Sequence, residues 1–390
     1  MRSSLLRPLW PVALILGGLL PGCGEPPSPA VPGGALRLSA VLGEEDSDGF
    51  ARADSPRTFR FPEDHGTHPE FRSEWWYLTI AAEDDAGHPL GVQFTLFRQA
   101  LSAPDGSTAA GTPNRWRTDQ VYLAHFAVTD TLTGTHQSSE RFARGHPSLA
   151  GVTAEPFRLW LEDWGIAAVD GNTWHLAVDD GARGASLALR LSGPPVLQGE
   201  NGLSRKGEGQ ASYYYSIPDI EVTGRVRIDG DERAIEGSGW LDREWSTSVL
   251  SADQLGWDWL ALSLDDGRRV MLFRLRRADG SRDPYDQGML SVPGAVDRPL
   301  GPADFDLRPV RTWQDDRGVS WPVGWSVRLG AETWSVEAAL DDQIMDTSIR
   351  YWEGLVMVRD DTGRPIGRGY LELTGYDESG ERSLTGGVWR

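Results

Sequence analysis

The sequence predicts an all-β chain, an antiparallel sandwich or barrel built as two similar units. Three observations carry this reading. No long run has helical periodicity. Short segments alternate apolar and polar residues and stop at turns rich in Asp and Gly. One hairpin pattern also occurs twice, about 180 residues apart. Alternation with period two suits a half-buried strand, and Asp-Gly turns tolerate the left-handed backbone of a tight reversal.

In chain order, the first element is an export signal. Met1-Arg2-Ser3-Ser4-Leu5-Leu6-Arg7 precedes an apolar run from Leu9 to Leu20, then Leu20-Pro21-Gly22-Cys23-Gly24. Basic residues, a short apolar stretch and small residues before a processing point define a signal over 1–22. The run is too short for a secure membrane span. Cys23, the sole cysteine, stands where a bacterial lipoprotein carries its acylated residue, so a lipid anchor at Cys23 is the expected tie to the membrane. Cleavage there leaves 390 − 22 = 368 residues. An acylated Cys23 leaves no thiol, which excludes disulfides. Gly24 rather than Asp after the anchor favours the outer membrane of a two-membrane cell. Residues 23–55, rich in Pro, Gly and acids at their start, form the expected flexible tether.

The folded part follows, with domains expected over 56–245 and 246–390. Strands are expected at 76–82, 91–98, 121–128, 185–191, 258–264, 269–275 and 368–374. Turns are expected at Asp84-Asp85-Ala86-Gly87, Asp229-Gly230-Asp231, Asp265-Asp266-Gly267 and Asp360-Asp361-Thr362-Gly363. The repeated hairpin is Trp75–Ile80 returning as Val92–Arg98, and Asp258–Leu262 returning as Val270–Arg274. Both return strands end Leu-Phe-Arg, which points to a duplication.

Charge and composition bound the function. The net charge is −19, and loss of Arg2 and Arg7 with the signal makes it −21. Nucleic acid, which needs a basic face, is excluded as a partner, and so is direct adhesion to anionic lipid. Lys206 is the only lysine, which argues against Schiff-base chemistry. No Gly-rich phosphate loop follows a strand and no nucleophile elbow is present, so no cofactor and no serine hydrolase are expected.

The 17 tryptophans repeatedly adjoin an acid: Glu74-Trp75-Trp76-Tyr77, Asp163-Trp164, Glu244-Trp245, Trp257-Asp258-Trp259 and Trp352-Glu353. Such residues build either an aromatic core or an apolar pocket. The carboxylate beside each indole either accepts its N–H or is desolvated into a weak acid. Exposed, arrayed indoles would instead suit a carbohydrate-binding surface. The expected pocket walls are Trp76, Trp240, Trp245, Trp257, Trp259, Tyr214 and Tyr215. Glu74 and Asp258 are expected to be structural.

Two segments carry candidate chemistry. In Phe61-Pro62-Glu63-Asp64-His65-Gly66-Thr67-His68-Pro69-Glu70, the prolines and Gly66 forbid a regular helix. A structured turn held by Asp64 and His65 is expected there, and no metal site. In Trp240-Leu241-Asp242-Arg243-Glu244-Trp245, a strand places Trp240, Asp242 and Glu244 on one face. Carboxylates one repeat apart lie about 7 Å from each other. In a closed interior one is pushed towards its neutral form, the state that protonates a double bond or a leaving group. Asp242 and Glu244 are therefore the candidate catalytic acids. On a rim they pair with arginines instead.

These motifs together resemble the carotenoid-hydratase and AttH-like family. The resemblance runs over about 56–390, through Phe61–Gly66, Phe71–Tyr77, Tyr214-Tyr215-Ser216-Ile217-Pro218, Gly239–Trp245, Gly256–Trp259, Tyr351–Gly354 and Gly369–Tyr376. It implies two lipocalin-like antiparallel β-barrels packed together, in an exported or membrane-associated protein. It also implies an apolar or amphipathic ligand, a lipid or isoprenoid, held inside a barrel, since about eight strands enclose one small molecule. Alternatives under the resemblance are a hydratase or hydrolase acting on an apolar substrate, and an accessory subunit of an ABC-type permease. Hydratases of the family carry His where this chain has Arg243, and Tyr and Asp near where it has Phe273, Arg274 and Leu275.

Overall fold

The computed structural model describes residues 47–104, 119–248, 250–251 and 253–377. The expected signal over 1–22, the anchor at Cys23 and the tether as far as residue 46 lie outside the described residues. Among the described residues the only helical element is one 3-10 turn, Glu63–His65.

The first sheet contains β1 (Ser73–Asp84), β2 (Pro89–Ala100), β3 (Gln120–Asp130), β4 (Thr135–Arg144), β5 (Ala150–Ala154), β6 (Phe157–Leu161), β7 (Trp164–Ala168), β8 (Thr173–Asp180), β9 (Arg183–Leu191), β10 (Val196–Leu197), β11 (Leu203–Arg205), β12 (Ala211–Ile228) and β13 (Asp231–Ser248). The second contains β14 (Gln254–Leu264), β15 (Arg269–Arg277), β16 (Gln287–Ser291), β17 (Arg298–Leu300), β18 (Phe305–Gln314), β19 (Ser320–Leu329), β20 (Glu332–Ala338), β21 (Ile344–Met345), β22 (Tyr351–Arg359) and β23 (Pro365–Leu373). Each expected strand falls on one of these, except that residue 374 lies just beyond β23.

The two sheets follow the same path. The first runs β4-β3-β2-β1-β13-β12-β9-β8-β7-β6-β5, and the second β17-β16-β15-β14-β23-β22-β20-β19-β18. In each, the opening hairpin pairs on one side with the last strand of its own sheet. The spine of the first is the β12–β13 hairpin. It reverses at Asp229 (φ 50°) and Gly230 (φ 91°), a two-residue turn with both residues left-handed, as Asp-Gly favours.

Both sheets curl into barrel-like shapes, with side chains bridging strands that are not hydrogen-bonded neighbours. Arg141 of β4 lies 4.2 Å over the Trp164 ring of β7, and Arg183 of β9 donates to the Ser138 carbonyl at 3.1 Å. In the second sheet Arg268 pairs with Glu332, and Arg274 donates to the Leu307 carbonyl at 3.1 Å.

Strand alternation decides what fills each barrel. Trp76, Leu78, Ile80, Phe94, Leu96, Phe126, Trp164, Leu187, Leu241 and Trp245 pack the first interior. Leu260, Leu262, Leu272, Trp321, Trp325, Trp334, Trp352 and Leu371 pack the second. The expectation of a hollow inside a barrel is therefore corrected. Large aromatic side chains occupy the inner faces, and the outer faces meet to form a third apolar layer. That layer contains Tyr77, Ala81, Trp240, Trp259, Met271, Phe273, Leu355 and Tyr370, with Leu123, Ala127, Met345 and Tyr351 beside it. Polar clasps cross the layer. Thr129 donates to Gln343 at 2.8 Å, His125 pairs with the Tyr351 hydroxyl at 2.8 Å, and Gln254 donates to the Lys206 carbonyl at 2.7 Å.

Candidate functional site between the two sheets

A cavity of about 280 Å³ opens in this middle layer. Its apolar walls are Trp75, Tyr77, Phe97, Leu123, Trp257, Trp259, Met271, Phe273 and Ile349, drawn from both sheets. Polar atoms enter from Lys206, Tyr214, Asp242, Glu244, Tyr351 and Glu372. Most of these residues sit one position away from a core residue of the same strand. In β13, for example, Asp242 and Glu244 face the cavity, while Leu241 and Trp245 face the barrel interior.

Asp242 is 3% exposed. One carboxylate oxygen accepts the Trp240 indole N–H at 2.6 Å and the Ser216 hydroxyl at 2.5 Å. The other accepts the Tyr214 hydroxyl at 2.5 Å, and that hydroxyl in turn accepts the Trp259 indole N–H at 3.2 Å. Burial pushes the Asp242 carboxyl up to about 6, against those hydrogen bonds and the pull of Lys206. Burial and the Asp242 charge keep the Tyr214 hydroxyl protonated well above its ordinary value.

Lys206 follows β11 and is 4% exposed. Its ammonium donates to Glu244 and, at 2.8 Å, to the Ser212 hydroxyl. The rings of Tyr214 and Phe273 lie 5.8 and 5.5 Å away. Burial pushes this amine down to about 7, against the attraction of Asp242.

A second acidic centre comes from β22 and β23, where Glu353 stands directly opposite Glu372. Both carboxyl oxygens of Glu353 are buried, and the Tyr77 and Tyr351 hydroxyls are the neutral polar groups that face them. Burial, then the charge of Glu372, pushes Glu353 well above the carboxylate range. Glu372 accepts the Trp257 indole N–H at 3.1 Å. It is partly buried and lines the cavity, and burial raises it to about 7. Among the carboxyls in the cavity wall, Asp242 and Glu372 are shifted towards their neutral forms, as is Glu353 behind them, and a buried amine stands beside aromatic walls. The cavity can donate protons to a ligand, or hold a ligand oxygen, where water competes little.

The other sequence candidates divide by strand face. Tyr214, Trp257, Trp259, Asp242 and Glu244 line the cavity. Trp240 lies behind Asp242 and holds it through the indole N–H. Trp76, Trp245 and Tyr215 are corrected as cavity walls. Each points into the first barrel because its strand neighbour takes the outer face. Trp76 donates to the His65 carbonyl at 2.8 Å, and Trp245 stacks on the His68 ring at 3.9 Å.

Glu74 binds Arg98 and Arg243 in a fully buried cluster and also reaches the cavity wall. Burial works against its charge, but Arg243 and Arg98 hold the carboxyl far below its ordinary range. Asp64 accepts the Arg60 backbone N–H at 2.6 Å and pairs with His68 at 2.9 Å, and His65 meets the Tyr215 hydroxyl at 2.6 Å, so this segment is a fixed turn. Asp258 faces Arg274 and accepts the Tyr376 hydroxyl at 2.7 Å. No tryptophan is an exposed large apolar residue among the described residues, which removes a surface array of indoles.

Lys206, Glu353 and Glu372 were not singled out as site residues from the sequence. The signal for Glu372 is an acid inside an apolar strand, Tyr370-Leu371-Glu372-Leu373. For Glu353 it is the same pattern in Tyr351-Trp352-Glu353-Gly354-Leu355.

No curated protein matches the chain. A crystal structure of an AttH protein from Nitrosomonas europaea is similar to it, with 34% identity and a TM-score of 0.73, covering 84% of this chain and all of that one. The fold is also shared with kievitone hydratase from Nectria haematococca, at 14% identity and a TM-score of 0.60, covering 86% of this chain and 98% of the other. The AttH-like family profile matches residues 52–376. The chain belongs to the AttH-like family.

Proposed function

We propose that this chain binds one apolar or amphipathic small molecule, of lipid or isoprenoid character, in the cavity between its sheets, and that it does so as an exported protein anchored through Cys23. The observation that carries the reading is the wall itself: Trp257, Trp259, Phe273 and Phe97 surround a few convergent polar groups. Native mass spectrometry of the purified chain is expected to reveal a co-purified apolar molecule, and quenching of indole fluorescence is expected when an apolar dye is added. Absence of both rejects the proposal. Cys23→Ser is expected to move the protein from the membrane fraction to the soluble fraction, and unchanged membrane association rejects the anchor.

A second reading is favoured by one specific feature. Asp242 is an acid held near neutrality and hydrogen-bonded to Tyr214 in an apolar cavity. That is the equipment to protonate a carbon–carbon double bond before water adds, or to protonate an ester's leaving group. A panel of unsaturated and ester substrates, with Asp242→Asn and Glu244→Gln, tests it. Turnover unchanged in both variants rejects the assignment.

A further inference from the structure

The chain's only lysine lies where an amine is chemically useful. Its side chain is buried, lines the cavity, and carries its nitrogen between Glu244 and Ser212 with two aromatic rings beside it. A structural lysine normally points its ammonium to water, because desolvating the charge is unfavourable. Here the stem and the head are both enclosed. The acids facing it are Glu244 and, further off, Asp242.

We infer that Lys206 is a carbonyl-capturing amine: it forms a protonated imine with an apolar aldehyde or ketone held in the cavity. The inference rests on the proposed ligand-binding role of that cavity and goes beyond it by naming the ligand's reactive group.

The step balances without a further reactant. Glu244 takes one proton from the ammonium, and the nitrogen lone pair attacks the carbonyl carbon. The carbonyl π pair moves to oxygen, which takes a proton from Asp242, and the attached nitrogen, now cationic, returns a proton to Asp242 and regains its lone pair. Glu244 then hands the proton it took to the carbinolamine hydroxyl, which leaves as water while the nitrogen lone pair forms the C=N bond, so both carboxyls end as they began. In sum, ammonium and carbonyl become iminium and water. The positive charge stays on the same nitrogen, so Glu244 changes from partner of an ammonium to counterion of an iminium. The ion pair seen in the structure is therefore the resting form of the site. Burial of the amine adds to this, since an ordinary lysine at neutral pH is unprotonated in only about one part in a thousand. The sequence-based argument against Schiff-base chemistry, that only one lysine is present, counts lysines. The structure shows where that one is placed.

The test uses the full chain, 2-naphthaldehyde and cyanoborohydride, which adds hydride to an iminium carbon and makes the link permanent. The expected result is near-stoichiometric gain of the aldehyde's mass less one oxygen, mapped by peptide analysis to Lys206. It should be absent from Lys206→Arg and from the unfolded chain treated in parallel. The corresponding alcohol, 2-naphthalenemethanol, cannot form an imine and is titrated by indole fluorescence. Binding of the alcohol with no adduct at Lys206, or with adduct only at the α-amine, overturns the imine and leaves the ligand-binding role standing. Failure of both probes to bind overturns the two together. Because trapping is read on the unsubstituted chain, the result does not depend on whether Lys206→Arg folds.

Discussion

Replacing Asp242 with Asn should make this protein more stable at mildly alkaline pH and less stable in acid. In the folded state the carboxyl lies at about 6 instead of 3.8, with burial as the main cause. A carboxyl with a raised folded value contributes stability fully below its unfolded value, and that contribution is lost as pH rises through the folded one. The displacement corresponds to about 3 kcal/mol, all of it lost by about pH 8. Asn never ionises, so it escapes that loss. It carries its own penalty, because its NH₂ must face the Tyr214 hydroxyl, which now donates to the carboxylate and already accepts from Trp259. One hydrogen bond lost there costs about 1 kcal/mol at every pH. Lys206 keeps Glu244 as its ion-pair partner in the variant. The net expectation is a gain of about 2 kcal/mol at about pH 8, a loss of about 0.5 kcal/mol at about pH 4, and a crossing between about pH 4 and 5. Urea denaturation of both proteins across this range measures the difference directly. A variant less stable than the parent by the same amount at every pH would refute the reasoning, since Asp242 would then be an ordinary ionised carboxylate.

Three further outcomes follow from the packing. Trp257→Ala removes a half-buried cavity wall and the donor to Glu372, so affinity for an apolar dye should fall about tenfold or more; Trp321→Ala, deep in the second barrel, should cost about 3–5 kcal/mol in denaturation and spare the remaining folded protein's affinity. Glu74→Gln strands Arg98 and Arg243 in a fully buried site and should cost about 3–5 kcal/mol, with part recovered by adding Arg243→Met, read by thermal and chemical unfolding. Gly91→Ala places a methyl group 2.5 Å from the Tyr370 hydroxyl and 3.1 Å from Leu355, across the layer between the sheets, and should cost about 1–3 kcal/mol without touching either barrel interior.

The fold was legible because its signals are local. The alternation in Val92–Arg98 and Val270–Arg274 marks strands, and Asp229-Gly230 marks a two-residue reversal, without knowledge of any partner. The acids of β13 were legible for the same reason, since strand period alone sets Asp242 and Glu244 on one face. That same period defeats the idea that an acid next to a tryptophan accepts its indole N–H. Neighbours in a strand point to opposite faces, so Trp257 reaches Glu372 instead of Asp258, and Trp352 reaches the Asp341 carbonyl instead of Glu353. Where acid and indole are two apart, as in Trp240 and Asp242 or Glu332 and Trp334, the bond forms. What the sequence could not give was which face was inner and which was outer. Trp76, Trp245 and Tyr215 were lost as cavity walls on that question, and Lys206, Glu353 and Glu372 were missed on it. Their surroundings are assembled from strands of both sheets, at separations no local pattern encodes.

Placing the cavity on the outer faces has one more consequence. The side chains that pack each barrel interior lie outside the cavity lining, and apart from Glu74 and Arg98 the cavity is lined by side chains that take no part in those two interiors. Reshaping the recess at the other lining positions therefore leaves both supporting cylinders insulated from the change. A scaffold divided in this way can vary its seam by exchanging a few residues, provided the ion-paired cluster at Glu74 and Arg98 is kept.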